Sequence, residues 1–152
     1  MTQRTPHEDE GQFALWRLKR PTSAVDSQSV IVAHAEKSIG ESIALLLRLK
    51  GFIAVATSTM ENLELMLEHW KPRALLIGTH LCHADDFRLV RHAANDAAFG
   101  GVLMIALTDI SPEETPIDMK QIGFDGLCCR PCPVWRLVDM LERRCRLLSD
   151  GH

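Results

Sequence analysis

The chain lacks a long apolar run, an excess of positive charge, a glycine-rich phosphate loop and an even set of cysteines, and each absence removes a class of protein. Its longest apolar stretches, such as Ile43 to Leu47, fall far short of the ~20 residues a membrane-spanning helix needs. The opening MTQRTPHEDE is polar and has no signal-peptide core, so the chain is expected in the cytoplasm, without a membrane partner. A net charge of -3 gives no basic footprint, and no nucleic-acid partner is expected. The 9 glycines form no phosphate-cradling loop, and no Ser, His and Asp set stands in a nucleophile-elbow pattern. Neither an enzyme nor a cofactor is therefore expected. Five cysteines, Cys82, Cys128, Cys129, Cys132 and Cys145, are odd in number and clustered late, which argues against a disulfide framework.

What is present suits one soluble domain. The 152 residues, 46% hydrophobic and 24% charged, suffice to bury a single core. Residues 1–28 open polar and close on PTSAVDSQ, a linker-like composition. They read as a mobile tail or linker, with Phe13, Leu15, Trp16 and Leu18 as a possible short docking segment. A folded domain is expected over 29–148, with a tail at 149–152.

From Ser29 onward, five apolar runs alternate with helical segments. The strands are expected at Val30 to Ala33, Phe52 to Ala56, Ala74 to Ile77, Val102 to Leu107 and Leu127 to Cys129. Ser38 with Glu41, and Ser58 with Glu61, form capping-box signatures before the first two helices. Asp85 or Asp86 is expected to cap the third helix, which carries Phe87, Leu89, Val90 and Ala93. The fourth should be short, from near Pro116 to Gly123, and the last should run from about Val134 to Leu148. Strand and helix in strict alternation imply right-handed crossovers and a parallel sheet covered on both faces. The third strand ends at Gly78, at the sheet edge where such folds place their chemistry.

On these segments the sequence resembles the receiver domains of bacterial response regulators. VIVAHAEKSIGESIALLLRLKGF matches the first strand, acidic loop and first helix, and KPRALLIGTHLCHADDF the phosphoacceptor strand and loop. LMIALTD matches the strand ending in the switch threonine, and GFDGLCCRPC the fifth strand ending in lysine and proline. Gly78 to Thr108 spans 30 residues and Thr108 to Arg130 spans 22, as the family pattern requires. The resemblance implies a flavodoxin-like (βα)5 three-layer sandwich, with a five-stranded parallel sheet in the order 2-1-3-4-5.

Carried over position by position, the resemblance implies lost chemistry. The acidic pair that holds magnesium falls on His34 and Ala35, and the phosphoacceptor aspartate on Gly78. The switch threonine is kept as Thr108, the pocket lysine becomes Arg130, and the aromatic switch residue becomes Leu127. Pro131 is kept, and a cis Arg130–Pro131 bond is expected. Magnesium needs carboxylates, which these residues do not offer, and phosphoryl transfer needs the missing nucleophile. Arg130 is expected to pair with Asp85, Asp86 or Asp109, or to hold an anion. The implied protein is a phosphorylation-incompetent signalling module that docks a protein partner or a second copy. Its interaction face would be helix four, strand five and helix five, including Pro116, Met119 and Leu127.

Two rival readings stand beside this one: a sensor that binds a small ligand, anion or metal in the altered pocket, and a thiol-based redox switch. His34, His80, Cys82 and His83, with Cys128, Cys129 and Cys132, could hold a soft metal, but neither HLCH nor CCRPC has a partner pair at structural-zinc spacing. Ordinary core cysteines and loop histidines are expected instead, and no metal. Cys129 and Cys132 form C-x-P-C, but after the last strand rather than at the helix start where redox pairs sit.

Overall fold

The computed structural model describes residues 13–15, 26–83, 87–108, 119–129, 135–139 and 141–142. In chain order these form β1 (Phe13–Leu15), β2 (Asp26–Ala33), α1 (Lys37–Leu49), β3 (Ile53–Thr57), α2 (Met60–His69), β4 (Pro72–Gly78), α3 (Thr79–His83) and α4 (Arg88–Ala94). A short 3-10 turn, Ala97–Phe99, leads to β5 (Leu103–Thr108), α5 (Met119–Ile122) and β6 (Gly126–Cys129). Residues 135–139 and 141–142 are helical and are called α6.

The sheet order is β1-β6-β5-β4-β2-β3. Strands β2 to β6 are all parallel, and counted among themselves they stand in the order 2-1-3-4-5. This is the expected flavodoxin-like sheet. Alternation along each strand feeds two cores. Ile31, Ala33, Leu75, Ile77, Met104 and Ala106 join one with Leu63 and Leu67 of α2, Val90 and Ala93 of α4, and Met119 and Ile122 of α5. Val30, Val32, Ala74, Leu76, Leu103 and Ile105 join the other with Ile43, Ala44 and Leu47 of α1 and Leu137, Val138 and Leu141 of α6. Every residue of β4 and β5 is buried. Each such aliphatic side chain contributes about 1.5–3 kcal/mol by leaving water, so the two central strands are the best-anchored part of the sheet.

Polar groups tie the sheet to its surroundings. Asp125, fully buried just before β6, accepts the Met104 N–H on a carboxylate oxygen at 2.8 Å and donates its own N–H to the Met104 carbonyl at 2.7 Å. The start of β6 is thereby fastened to β5. Gly123, with φ 134°, stops α5, and a Cβ there would lie 2.6 Å from that of Ala94, so glycine is required by both backbone and space. Arg73, buried on β4, donates to the Leu141 carbonyl at 2.5 Å and stacks over Phe52 with 5.4 Å to the ring centroid, holding α6 down on the sheet.

Several sequence expectations are corrected. Helix α1 begins at Lys37 with Glu36 as N-cap and no side-chain cap bond, so the Ser38 and Glu41 box lies inside the helix. Helix α2 is capped one residue later than expected, Thr59 Oγ1 accepting from the Asn62 N–H at 3.2 Å. Helix α4 starts at Arg88 behind Phe87, which takes the left-handed conformation (φ 58°), rather than on an aspartate cap; Asp85 and Asp86 lie outside the described residues. Phe87 is held there by burial and an edge-to-face contact with Phe124, 6.3 Å between ring centres. The short α3 was not expected at all.

The largest addition is β1. Phe13–Leu15 pairs antiparallel with β6, Phe13 opposite Cys128 and Leu15 opposite Gly126, giving the sheet a sixth strand from within residues 1–28. Leu15 is half-buried against the α1 and α6 side core. An unpaired strand edge offers a row of backbone donors and acceptors, and satisfying them stabilises even a three-residue segment. Strand β2 also begins four residues earlier than expected, with Asp26 opposite Pro72. Among the described residues no helix is long and apolar enough to cross a membrane.

Candidate functional site

Parallel pairing brings the carboxyl ends of the strands to one rim. Ala33 lies opposite Ile77 and Thr57, Gly78 opposite Leu107, and Thr108 opposite Cys129. His34 follows Ala33 directly, so His34, Ala35, Gly78 and Thr108 meet at the mouth of the central strands. This is the set expected to share the pocket, apart from Arg130 and Pro131, which lie outside the described residues. The expected cis bond and the carboxylate partners proposed for Arg130, Asp85, Asp86 and Asp109, also lie outside them.

At the mouth His34 and Gly78 fit together. Gly78 is buried, and a Cβ built on it would lie 3.3 Å from His34 Cδ2 and 3.6 Å from the Ala33 carbonyl oxygen. The imidazole thus leans over the place where a side chain at position 78 would start. Two hydrogen bonds hold it: the His34 N–H donates to the Thr57 carbonyl at 3.0 Å, and His34 Nδ1 accepts the Glu36 N–H at 3.0 Å. With Nδ1 as acceptor the ring is neutral and its hydrogen sits on Nε2. The same bond sets the start of α1, since Glu36 is its N-cap. Gly40, buried on the first turn of α1, comes within 3.4 Å of the His34 Cβ when a Cβ is added, which closes the packing behind the ring.

Sequence reading found these positions but missed that histidine and glycine complement each other in space. The signal was there: a bulky histidine at 34 and a bare glycine at 78, each at the end of its strand. Chemically, the described mouth residues offer an imidazole, a methyl group, a bare Cα and the buried Thr108 hydroxyl. None is a carboxylate. Glu36 is the nearest acid in sequence, and it is exposed at the helix cap.

The expected interaction face is corrected. Leu127 and Met119 are 1% and 5% exposed and belong to the core on the α2, α4 and α5 side. Leu127 points inward because β6 alternates: Leu127 and Cys129 serve that core and Cys128 the opposite one. The outer edge of β6 is taken by β1. Pro116 lies outside the described residues.

The cysteines and histidines weighed as metal ligands do not gather either. Cys82, Cys128 and Cys129 are buried, with Cys128 and Cys129 on opposite faces of the sheet, and His80 is exposed. Among the described residues no three His, Cys, Asp or Glu side chains are placed to share an ion. Cys132 lies outside them.

Two open hollows flank the helices. One of about 450 Å³ lies over the end of β3 between α1 and α2, lined by Lys37, Glu41, Thr57, Ser58 and Asn62 among others. The other, about 600 Å³, lies between α2 and α4, where Lys71 donates to the Leu67 carbonyl and sits 4.5 Å over the Phe99 ring. Neither includes the mouth residues.

Strand order, two helix-covered faces and a switch-point mouth define the flavodoxin-like class. Within it, the fold is that of response regulator receiver domains. The chain is similar to the receiver domain of the Francisella response regulator 1452, at 15% identity and TM-score 0.67 over 77% of this chain and 95% of that one. It is similar to the chemotaxis response regulator CheY4 of Vibrio cholerae, at 15% identity and TM-score 0.67 over 76% and 97%. A third likeness, at 14% identity and TM-score 0.65 over 82% and 72%, is a response regulator of Burkholderia pseudomallei carrying a phosphorylated aspartic acid, a calcium ion and citrate. These likenesses are of fold. No protein-family model and no curated protein sequence matches the chain.

Proposed function

We propose that the chain is a receiver-fold module of a bacterial signalling pathway that takes no phosphoryl group and acts in the cytoplasm by docking to protein, without enzymatic activity. The observation that carries this reading is Gly78 at the mouth of β4 with the His34 ring leaning over it. Phosphoryl transfer to a receiver needs a carboxylate nucleophile and a cation that neutralises the developing charge. At position 78 the nucleophile is gone, and at 34 and 35 so are the acids that would hold the cation. A side chain at 78 would also press on the imidazole, which would have to give by a few tenths of an ångström. The His34 bonds to Thr57 and Glu36 support a single resting arrangement of the first loop and helix.

The test is incubation with a radiolabelled small phosphodonor and magnesium. Wild type is expected to take up no hydroxylamine-labile label, and neither is Gly78→Asp alone, because the cation site is still missing. The triple variant Gly78→Asp, His34→Asp, Ala35→Asp restores both functions and is the form expected to gain label. Labelling of the wild type would overturn the reading.

A further inference from the structure

Helices α2 and α4 cover the same face of the sheet, and the open hollow between them holds about 600 Å³. Small-molecule sites span roughly 300–1,000 Å³, with mostly apolar walls and a few placed polar groups. The floor here is apolar. Leu67 and Ala93 are buried beneath it, and Leu89 and Phe99 are half-buried at its sides.

The two walls carry opposite charge. Glu64 and Glu68 stand one helical turn apart on α2 and share a face, as do Arg88 and His92 on α4. All four are exposed, and among the described residues none of them makes an ion pair. The acids and bases thus line one hollow without closing it. A further charge is already fixed in place: the Lys71 ammonium donates to the Leu67 carbonyl at 2.7 Å and lies 4.5 Å over the Phe99 ring. One of its three protons is used on Leu67, which leaves two for a bound acceptor. A group held this way loses little freedom when a ligand arrives.

The lining sorts ligands by charge. A simple anion would meet Arg88 and Lys71 but also face Glu64 and Glu68, and a simple amine would meet the reverse. A wholly apolar molecule would satisfy the floor and neither wall. A molecule carrying both charges on an apolar body suits the floor and both walls together.

We propose that this hollow binds a small zwitterion with an apolar body, the chemistry of a free apolar α-amino acid. The carboxylate goes to Arg88 and Lys71, with His92 as a further donor. The ammonium goes to Glu64 and Glu68, and the side chain settles on Leu67, Leu89, Ala93 and Phe99. This goes beyond the docking reading and gives the module a small-molecule input. None of the mouth residues lines the hollow, so phosphodonor labelling cannot decide the matter.

The experiment titrates the isotope-labelled full chain with L-phenylalanine and with L-leucine, following backbone amide signals by nuclear magnetic resonance. Saturable shifts at Leu67, Lys71, Ala93 and Phe99, with a midpoint near or below ~1 mM, are the expected result. Three truncated probes then test each contact without any change to the protein. 3-Phenylpropionate lacks the ammonium, phenethylamine lacks the carboxylate, and glycine lacks the side chain; each should bind about tenfold more weakly or worse. Glu68→Gln and Arg88→Gln change exposed side chains, should leave far-ultraviolet circular dichroism unchanged, and should each weaken L-phenylalanine by about tenfold. The proposal is overturned if neither amino acid gives saturable shifts, if the shifts fall outside the hollow, or if either singly charged probe binds as tightly as L-phenylalanine.

Discussion

The mouth of β4 and the outer edge of β6 are both closed, but by different physics. At the mouth, closure comes from side chains: a glycine leaves space and the histidine just after the neighbouring strand β2 leans into it. At the edge, closure comes from backbone, three residues of the N-terminal segment covering the donors and acceptors of β6. The difference separates two questions that a receiver fold usually joins, what the module reacts with and what it holds. A side-chain change can delete chemistry outright.

The largest effect is expected where both regions hang on one group. Asp125→Ala removes the buried acceptor of the Met104 N–H and should cost about 2–3 kcal/mol, seen as a lower denaturant midpoint. Because β6 carries both the edge and one end of the rim, this variant should loosen amide protection in β6 and β1 together. A change confined to one of them would break the link drawn between the regions.

Leu15→Asp acts on the edge alone. Placing a carboxylate on a half-buried position should cost about 1–2 kcal/mol and free the amides of β6 to exchange, while the His34 ring resonances stay put. Gly78→Ala acts on the mouth alone and should be the mildest, about 1 kcal/mol, since the neighbour at 3.3 Å is a side-chain edge that must move by a few tenths of an ångström. Its His34 ring signals should shift, and the pair Gly78→Ala, His34→Ala should recover most of the loss. An additive double variant would contradict the packing of one residue over the other.

The parallel, helix-covered sheet was legible because each of its five strands is an apolar run with its own helix, whereas the strand order and the mouth positions came from the resemblance to receiver domains. Gly78 and Thr108 end β4 and β5, and His34 and Ala35 follow β2, so all four stand at the carboxyl ends of the strands. The edge was not legible. Phe13–Leu15 is too short for a periodicity of two to show, and its gain is in backbone hydrogen bonds, which any residue but proline can make. The inward direction of Leu127 and Met119 escaped for a related reason: whether an apolar side chain at a sheet edge faces a partner or the core depends on register. Helix starts were off by one or two residues because His34 and Phe87, not serine or aspartate, shape the approach to α1 and α4.

The most direct measurement is the uptake of phosphoryl groups by the wild-type chain from a labelled small donor with magnesium, read against Gly78→Asp, His34→Asp, Ala35→Asp under the same conditions. The account requires no hydroxylamine-labile label on the wild type and label on the variant. A wild-type chain that becomes labelled at an acidic side chain of the rim would contradict it.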